Sequence, residues 1–147
     1  MRTILSLGLL CLLLTLNSCE IKPAPINFGT DSCNFCKMTI VDQQHAAQYV
    51  TDKGKQFKFD AVECMLNDLS ERGMGNIKLM LVSDYGRPGT MTDAAGATYL
   101  ISEEIKSPMG ANLSSFASHS KAEETLKTHD GVLFTWKEML SKYQISE

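Results

Sequence analysis

The chain has 147 residues and a formal net charge of −3, from 14 Lys and Arg against 17 Asp and Glu. That length suits one compact domain, or two small subdomains sharing a core. A mildly acidic balance with no basic patch argues against nucleic acid as a partner.

Residues 1–18 read as an export signal. Arg2 supplies the positive start, and Ile4 to Leu16 is an apolar run too short to span a bilayer comfortably. The run ends in Leu16-Asn17-Ser18-Cys19, which resembles a bacterial lipobox. On that reading cleavage falls before Cys19, whose thiol and amine then carry lipid. Glu20 at the next position, rather than Asp, implies an outer-membrane lipoprotein facing the periplasm. Two or more acyl chains suffice for stable anchoring, so the mature chain would sit on a membrane without crossing it. The alternative is an ordinary signal peptide with a chance cysteine. Cleavage after Ser18 leaves 129 of the 147 residues and, with Arg2 lost, a net charge of −4.

Of the five cysteines, Cys11 leaves with the signal and Cys19 is the lipidation site. Cys33, Cys36 and Cys64 remain, an odd number for an oxidising compartment. Three retained thiols favour a ligand role.

Residues 19–32, with Pro23, Pro25 and Gly29, show no periodicity and read as a flexible tether. A first ββαβ unit is expected over 33–82. Met38-Ile40 and Ala47-Thr51 read as strands joined by the polar turn Asp42-Gln43-Gln44-His45, and Lys53-Gly54 turns into a strand over Gln56-Phe59. A helix follows with Asp60 as its N-cap and Glu63 at the capping-box position. Val62, Met65, Leu66 and Leu69 put one stripe of that helix on the core. Gly73 and Gly75 stop it, and Ile77-Val82 is a short apolar strand. Residues 83–97 read as an irregular connector.

The second unit, 98–147, repeats the order. Strands are expected over Thr98-Ile101 and Leu113-Ala117, then a helix opening at Ser120-Lys121-Ala122-Glu123, then a strand over Val132-Thr135. A last helix runs from Trp136 to Tyr143, with Thr135 as N-cap and Glu138 at the box position. The fold class is α+β, two ββαβ units after a tether.

The chemistry concentrates in Cys33-Asn34-Phe35-Cys36-Lys37-Met38. Two thiolates and a thioether are soft ligands, and the ion that best suits both is Cu(I). Other readings of Cys33-x-x-Cys36 stay open: a thiol-disulfide pair, a structural zinc site and a structural disulfide. A redox pair would ordinarily sit at a helix N-terminus, whereas this motif precedes a strand. A zinc site would need four ligands, and no second close pair is present. Met38 is either a ligand or the first core residue of its strand. Cys64 lies about 200° around the helix from Val62, off the apolar stripe. It is either a third sulfur facing the Cys33/Cys36 loop or a partly exposed inert thiol.

Ser107-Pro108-Met109-Gly110 places a methionine at a polar turn, poorly explained by burial. Met74 and Met91 carry the same argument more weakly, and Met80 and Met139 fit core positions. His45, in the first turn, is a candidate nitrogen ligand; His119 and His129 flank a helix and read as solvated. No Ser/His/Asp set, phosphate loop or catalytic carboxylate pair supports an enzyme.

These motifs together resemble the NosL family of nitrous oxide reductase accessory lipoproteins. The likeness rests on Cys19, Cys33-Asn34-Phe35-Cys36-Lys37-Met38, Phe59-Asp60-Ala61-Val62-Glu63-Cys64-Met65-Leu66 and Leu81-Val82-Ser83-Asp84. It continues through Thr92-Asp93-Ala94-Ala95, Ala97-Thr98-Tyr99-Leu100, Ser107-Pro108-Met109-Gly110 and Ser115-Phe116-Ala117. The resemblance implies a Cu(I) chaperone that is not an enzyme, supplying copper to nitrous oxide reductase and working with an ABC-type transporter. It implies two ββαβ units similar to those of organomercurial lyase, and Cys33, Cys36, Met38 and Met109 as metal residues. Lys37 departs from the pattern, since the family usually has Gly between the second cysteine and the methionine. An organomercurial lyase-like cleavage is suggested by fold analogy alone.

Overall fold

The computed structural model describes residues 20–146; the expected export signal and Cys19 lie outside them. Seven strands and three helices follow in the order β1 (Ala47–Thr51), β2 (Gln56–Phe59), α1 (Val62–Arg72), β3 (Ile77–Ser83), β4 (Met91–Asp93), β5 (Thr98–Ile101), β6 (Leu113–Phe116), α2 (His119–Leu126), β7 (Val132–Thr135) and α3 (Trp136–Lys142). Two antiparallel sheets result, β2-β1-β3-β4 and β6-β5-β7. In each, the first strand of a ββαβ unit is central, flanked by the hairpin partner that follows it and the strand that returns after the helix. The expected duplication is thus present in the topology itself.

β1 is buried on both faces, and its alternation explains how. Tyr49 points under α1, where its hydroxyl donates to Asp68 Oδ2 at 2.6 Å. Gln48 points the other way, 1% exposed, and donates to the carbonyl of Ala24 at 3.0 Å. The segment expected as a free tether therefore forms a cover over that face. Its backbone is tied down by side chains of β2: Gln56 Oε1 accepts from Ala24 N, Gln56 Nε2 donates to Lys22 O, and Lys58 Nζ donates to Pro25 O. Ile26 and Phe28 pack on the core. Absence of periodicity revealed a lack of regular structure here, not a lack of contacts.

Three further expectations are corrected. Met38-Ile40 is not a strand of the first sheet; it meets residues 29–32 through one bridge, Ser32 to Thr39, flanked by the Gly29–Ile40 and Ile40–Asp31 backbone bonds. The connector 83–97 contains β4, which pairs with the end of β3. Both inner helices start elsewhere than their box motifs suggest: α1 is preceded by Ala61 and α2 by Ser118, neither with a side-chain cap. The box at Thr135 and Glu138 does form in both directions.

One core joins the units. The α1 stripe (Val62, Met65, Leu66 and Leu69) is fully buried with Phe59 beside Tyr99, Leu113 and Met139 from the second unit. Across the join, Ser115 Oγ donates to Ser83 O at 2.6 Å and Tyr85 N to Ser115 O at 2.8 Å.

Candidate metal centre

Residues 33–38 form a closed loop seated on β2. Cys33 N donates to Met38 O at 2.8 Å and Lys37 N to Cys33 O at 3.1 Å, so the loop bonds to itself. Asn34 then locks it to the sheet: its N–H donates to Lys58 O, and its Oδ1 accepts from Lys58 N at 2.7 Å. Lys37 closes the turn in the left-handed region, φ +69°, with its ammonium on Asn34 O. This is the position where glycine would be at ease.

Three sulfurs and a carboxylate meet beneath the loop. One ligand atom each from Cys33, Cys36, Asp60 and Cys64 lies within 4.8 Å of all the others. Cys33, Asp60 and Cys64 are buried, and Cys36 is half-buried at the mouth. Cys36 Sγ donates to Asp60 Oδ1 at 3.4 Å. None of the three cysteines is in a disulfide. Asp60 sits four residues before Cys64, at the junction where β2 turns into α1, and so reaches the same side as that thiol.

The thiols are electrostatically unequal. Cys33 is lowered from 9.0 to about 6, chiefly because the Cys64 thiol donates to it, helped by the N–H groups of Asp60, Cys36 and Phe35 against the cost of burial. Cys36 is pushed up to about 11, first by burial and then by the Cys33 thiolate and Asp60. Cys64 is raised strongly, because its proton is held by Cys33 in a buried place. Without cargo the pocket thus holds one thiolate and two thiols. A soft ion entering would displace the remaining protons.

The two methionines singled out by the sequence are, among the described residues, the two that stand exposed: Met38 at 53% and Met109 at 42%. Met38 ends the cysteine loop at its outer surface. Met74, Met80 and Met91 are half-buried, Met91 Sδ accepting from Ser83 Oγ, and Met139 is in the core. Cys64 is not partly exposed. The first turn of α1 is covered all round, its apolar stripe by the sheets and its other side by the cysteine loop.

His45 lies outside the cluster. Its Nδ1 faces Asp42 Oδ2 at 2.9 Å and its Nε2 faces Ser114 Oγ at 3.2 Å, so both ring nitrogens are engaged, the second across the join between the two units. Asp60, read as a helix cap, is the residue that sequence reasoning missed; its spacing to Cys64 was the available signal. The motif sits in a turn rather than at a helix N-terminus, which does not favour the thiol-disulfide reading.

Chemically, three sulfurs with one buried oxygen beside them can hold a soft ion at low coordination number. Among the described residues, the cluster is half-open on the side of Cys36 and Met38.

Comparisons with known proteins point to one family. The sequence model of the NosL family matches residues 25–144. The copper-binding lipoprotein NosL of Stutzerimonas stutzeri is 30% identical over 125 residues, covering 78% of this chain and 65% of the relative. The chain therefore spans just under two thirds of that protein's length. The crystal structure of the copper chaperone NosL from Shewanella denitrificans superposes with a TM-score of 0.71 at 19% identity, over 81% of this chain and 96% of the other. By sequence along most of its length, and by fold, the chain belongs to the NosL family.

Proposed function

We infer that this protein is a lipid-anchored carrier of Cu(I), delivering copper for the maturation of nitrous oxide reductase. The observation that carries the reading is the convergence of Cys33, Cys36 and Cys64 with Asp60 in one pocket, closed by a loop whose exposed end is Met38. The relatives' names, a copper-binding lipoprotein and a copper chaperone, support the same cargo.

Transfer proceeds by ligand exchange. A two- or three-coordinate Cu(I) keeps an open position, so a sulfur or nitrogen of the recipient binds before the donor lets go. Cys33 enters as a thiolate and forms the first bond. Cys36 and Met38, at the mouth, are the ligands a recipient can reach. No turnover is required. The partners are nitrous oxide reductase and the ABC-type transporter of its copper-site assembly, and a lipid on Cys19 holds the carrier at the outer membrane, facing the periplasm.

The test is an anaerobic Cu(I) titration against a chromophoric chelator. Cys33→Ser and Cys36→Ser are each expected to lose at least tenfold in affinity, about 1.4 kcal/mol. Variants that bind as tightly as the parent would show the copper assignment to be wrong.

A further inference from the structure

Glu63 is a buried carboxylate of α1. It occupies the box position of the helix, yet α1 has no side-chain cap, and the carboxylate turns inward instead. It is 2% exposed. Oε1 accepts from the Ser107 hydroxyl, and Oε2 is buried with no hydrogen-bond partner among the described residues. A buried oxygen left in that condition is destabilising in itself. The next residue in the helix is Cys64.

Ser107 is the foot of the Met109 turn. Its carbonyl accepts from Gly110 N at 3.1 Å and its hydroxyl oxygen from Asn112 N at 2.8 Å, so one residue closes both the tight turn and the wider loop. Gly110 and Asn112 both lie in the left-handed region, φ +80° and +56°. Ala111, between them, packs on the core cluster that contains Cys33 and Cys64, as Cys36 does. The exposed Met109 stands two residues from a side-chain bond, Ser107 to Glu63, that ties this turn to α1.

We propose that Glu63 is a positioning residue, which through Ser107 holds the Met109 turn against the helix carrying Cys64 and so presents the Met109 thioether to cargo in the cysteine pocket. This rests on the carrier reading and goes beyond it. It gives the metal centre a support in the second unit, and it accounts for a buried carboxylate that neither caps α1 nor joins the four-ligand cluster. Preorganisation is the physical gain: a thioether on an unpinned turn would lose freedom each time it bound.

The experiment uses Cu(I)-loaded, selenomethionine-labelled protein carrying Met38→Leu, so that copper–selenium scattering in X-ray absorption reports thioether and not thiolate. The parent is expected to show a copper–selenium contribution that Met109→Leu removes. Ser107→Ala should remove most of it, while Glu63→Gln, which keeps a carbonyl to accept from Ser107, should retain it. The amount of bound copper, set by the cysteines, should stay equal in Ser107→Ala and Glu63→Gln. Full copper–selenium amplitude in Ser107→Ala would overturn the proposal, as would a parent signal unaffected by Met109→Leu. Glu63→Asp is the second disruption, since the shorter carboxylate cannot reach the hydroxyl; undiminished amplitude there would count equally against it. Failure of the carrier reading would look different: copper binding indifferent to Cys33→Ser and Cys36→Ser.

Discussion

Cys64→Ala is the most searching perturbation of the thiol pocket, because the hydrogen bond from Cys64 is the largest influence on Cys33. The folded protein moves Cys33 from 9.0 to about 6, a preference for thiolate of ~4 kcal/mol. At pH 7 that leaves ~90% of Cys33 ionised, against ~1% at the ordinary value. A hydrogen bond to a charged group contributes about 1.5–3 kcal/mol. Removing the donor should therefore raise the Cys33 midpoint by about one to two pH units and cut the thiolate at pH 7 to ~10–50%. Cys64→Ser keeps a donor and should stay near the parent. The assay is an anaerobic titration of thiolate ultraviolet absorbance in the metal-free protein. Cys36 titrates far higher, at about 11, so the first step belongs to Cys33 and must vanish in Cys33→Ser. A Cys64→Ala midpoint within about half a pH unit of the parent would refute the reasoning, for that shift is smaller than any hydrogen bond to a thiolate supplies.

Three other outcomes follow from the same structure. Stability of the metal-free protein should rise with pH between about 6 and 9.0, where the unfolded Cys33 still holds a proton that the folded one has shed. It should fall above 9.0, where unfolded Cys36 ionises while the folded thiol, raised to about 11, does not; urea unfolding under reductant measures both limbs, and a profile unchanged by Cys33→Ser would contradict the first. Lys37→Gly relieves a side chain at φ +69° and should stabilise the metal-free chain by about 1 kcal/mol in denaturant unfolding, whereas a loss of stability would mean that the lysine's bond to Asn34 O outweighs the strain. Tyr49→Phe strands the buried Asp68 Oδ2, although Arg72 still donates to Oδ1 at 2.9 Å. It should cost about 1–3 kcal/mol, and an unchanged thermal midpoint would show that the hydroxyl contributes nothing.

Local signals in the chain were reliable where local physics decides. The stripe Val62, Met65, Leu66 and Leu69 needs only the helical repeat, and the Thr135–Glu138 box closes within one turn. Six of the seven strands, β1 to β3 and β5 to β7, followed from short apolar runs between turns; β4 did not. What lay beyond reach depends on contacts far apart in sequence. Asp60 and Glu63 both look like capping residues, and only the fold shows one turned to Cys36 and the other to Ser107. Cys64 is off the apolar stripe as its angle required, yet it is buried because a second covering, the cysteine loop, lies on that side. His45 looked available in a polar turn until Ser114, 69 residues on, took its second nitrogen. Among the ligand candidates, the cysteines were legible because their chemistry is specific. The carboxylate was not, since Asp has many ordinary uses.

The cover that residues 22–28 lay over β1 sets the length of the leash. With a lipid on Cys19, only Glu20 and Ile21 separate the anchor from Lys22, whose carbonyl is already held by Gln56. Three extended residues reach about 10 Å. Lys58, where the cysteine loop docks, is two residues further along β2, ~7 Å more. The pocket would then ride on the order of 20 Å from the headgroups and could not sweep outward in search of a recipient. Any protein that takes copper from it would have to come down to the membrane.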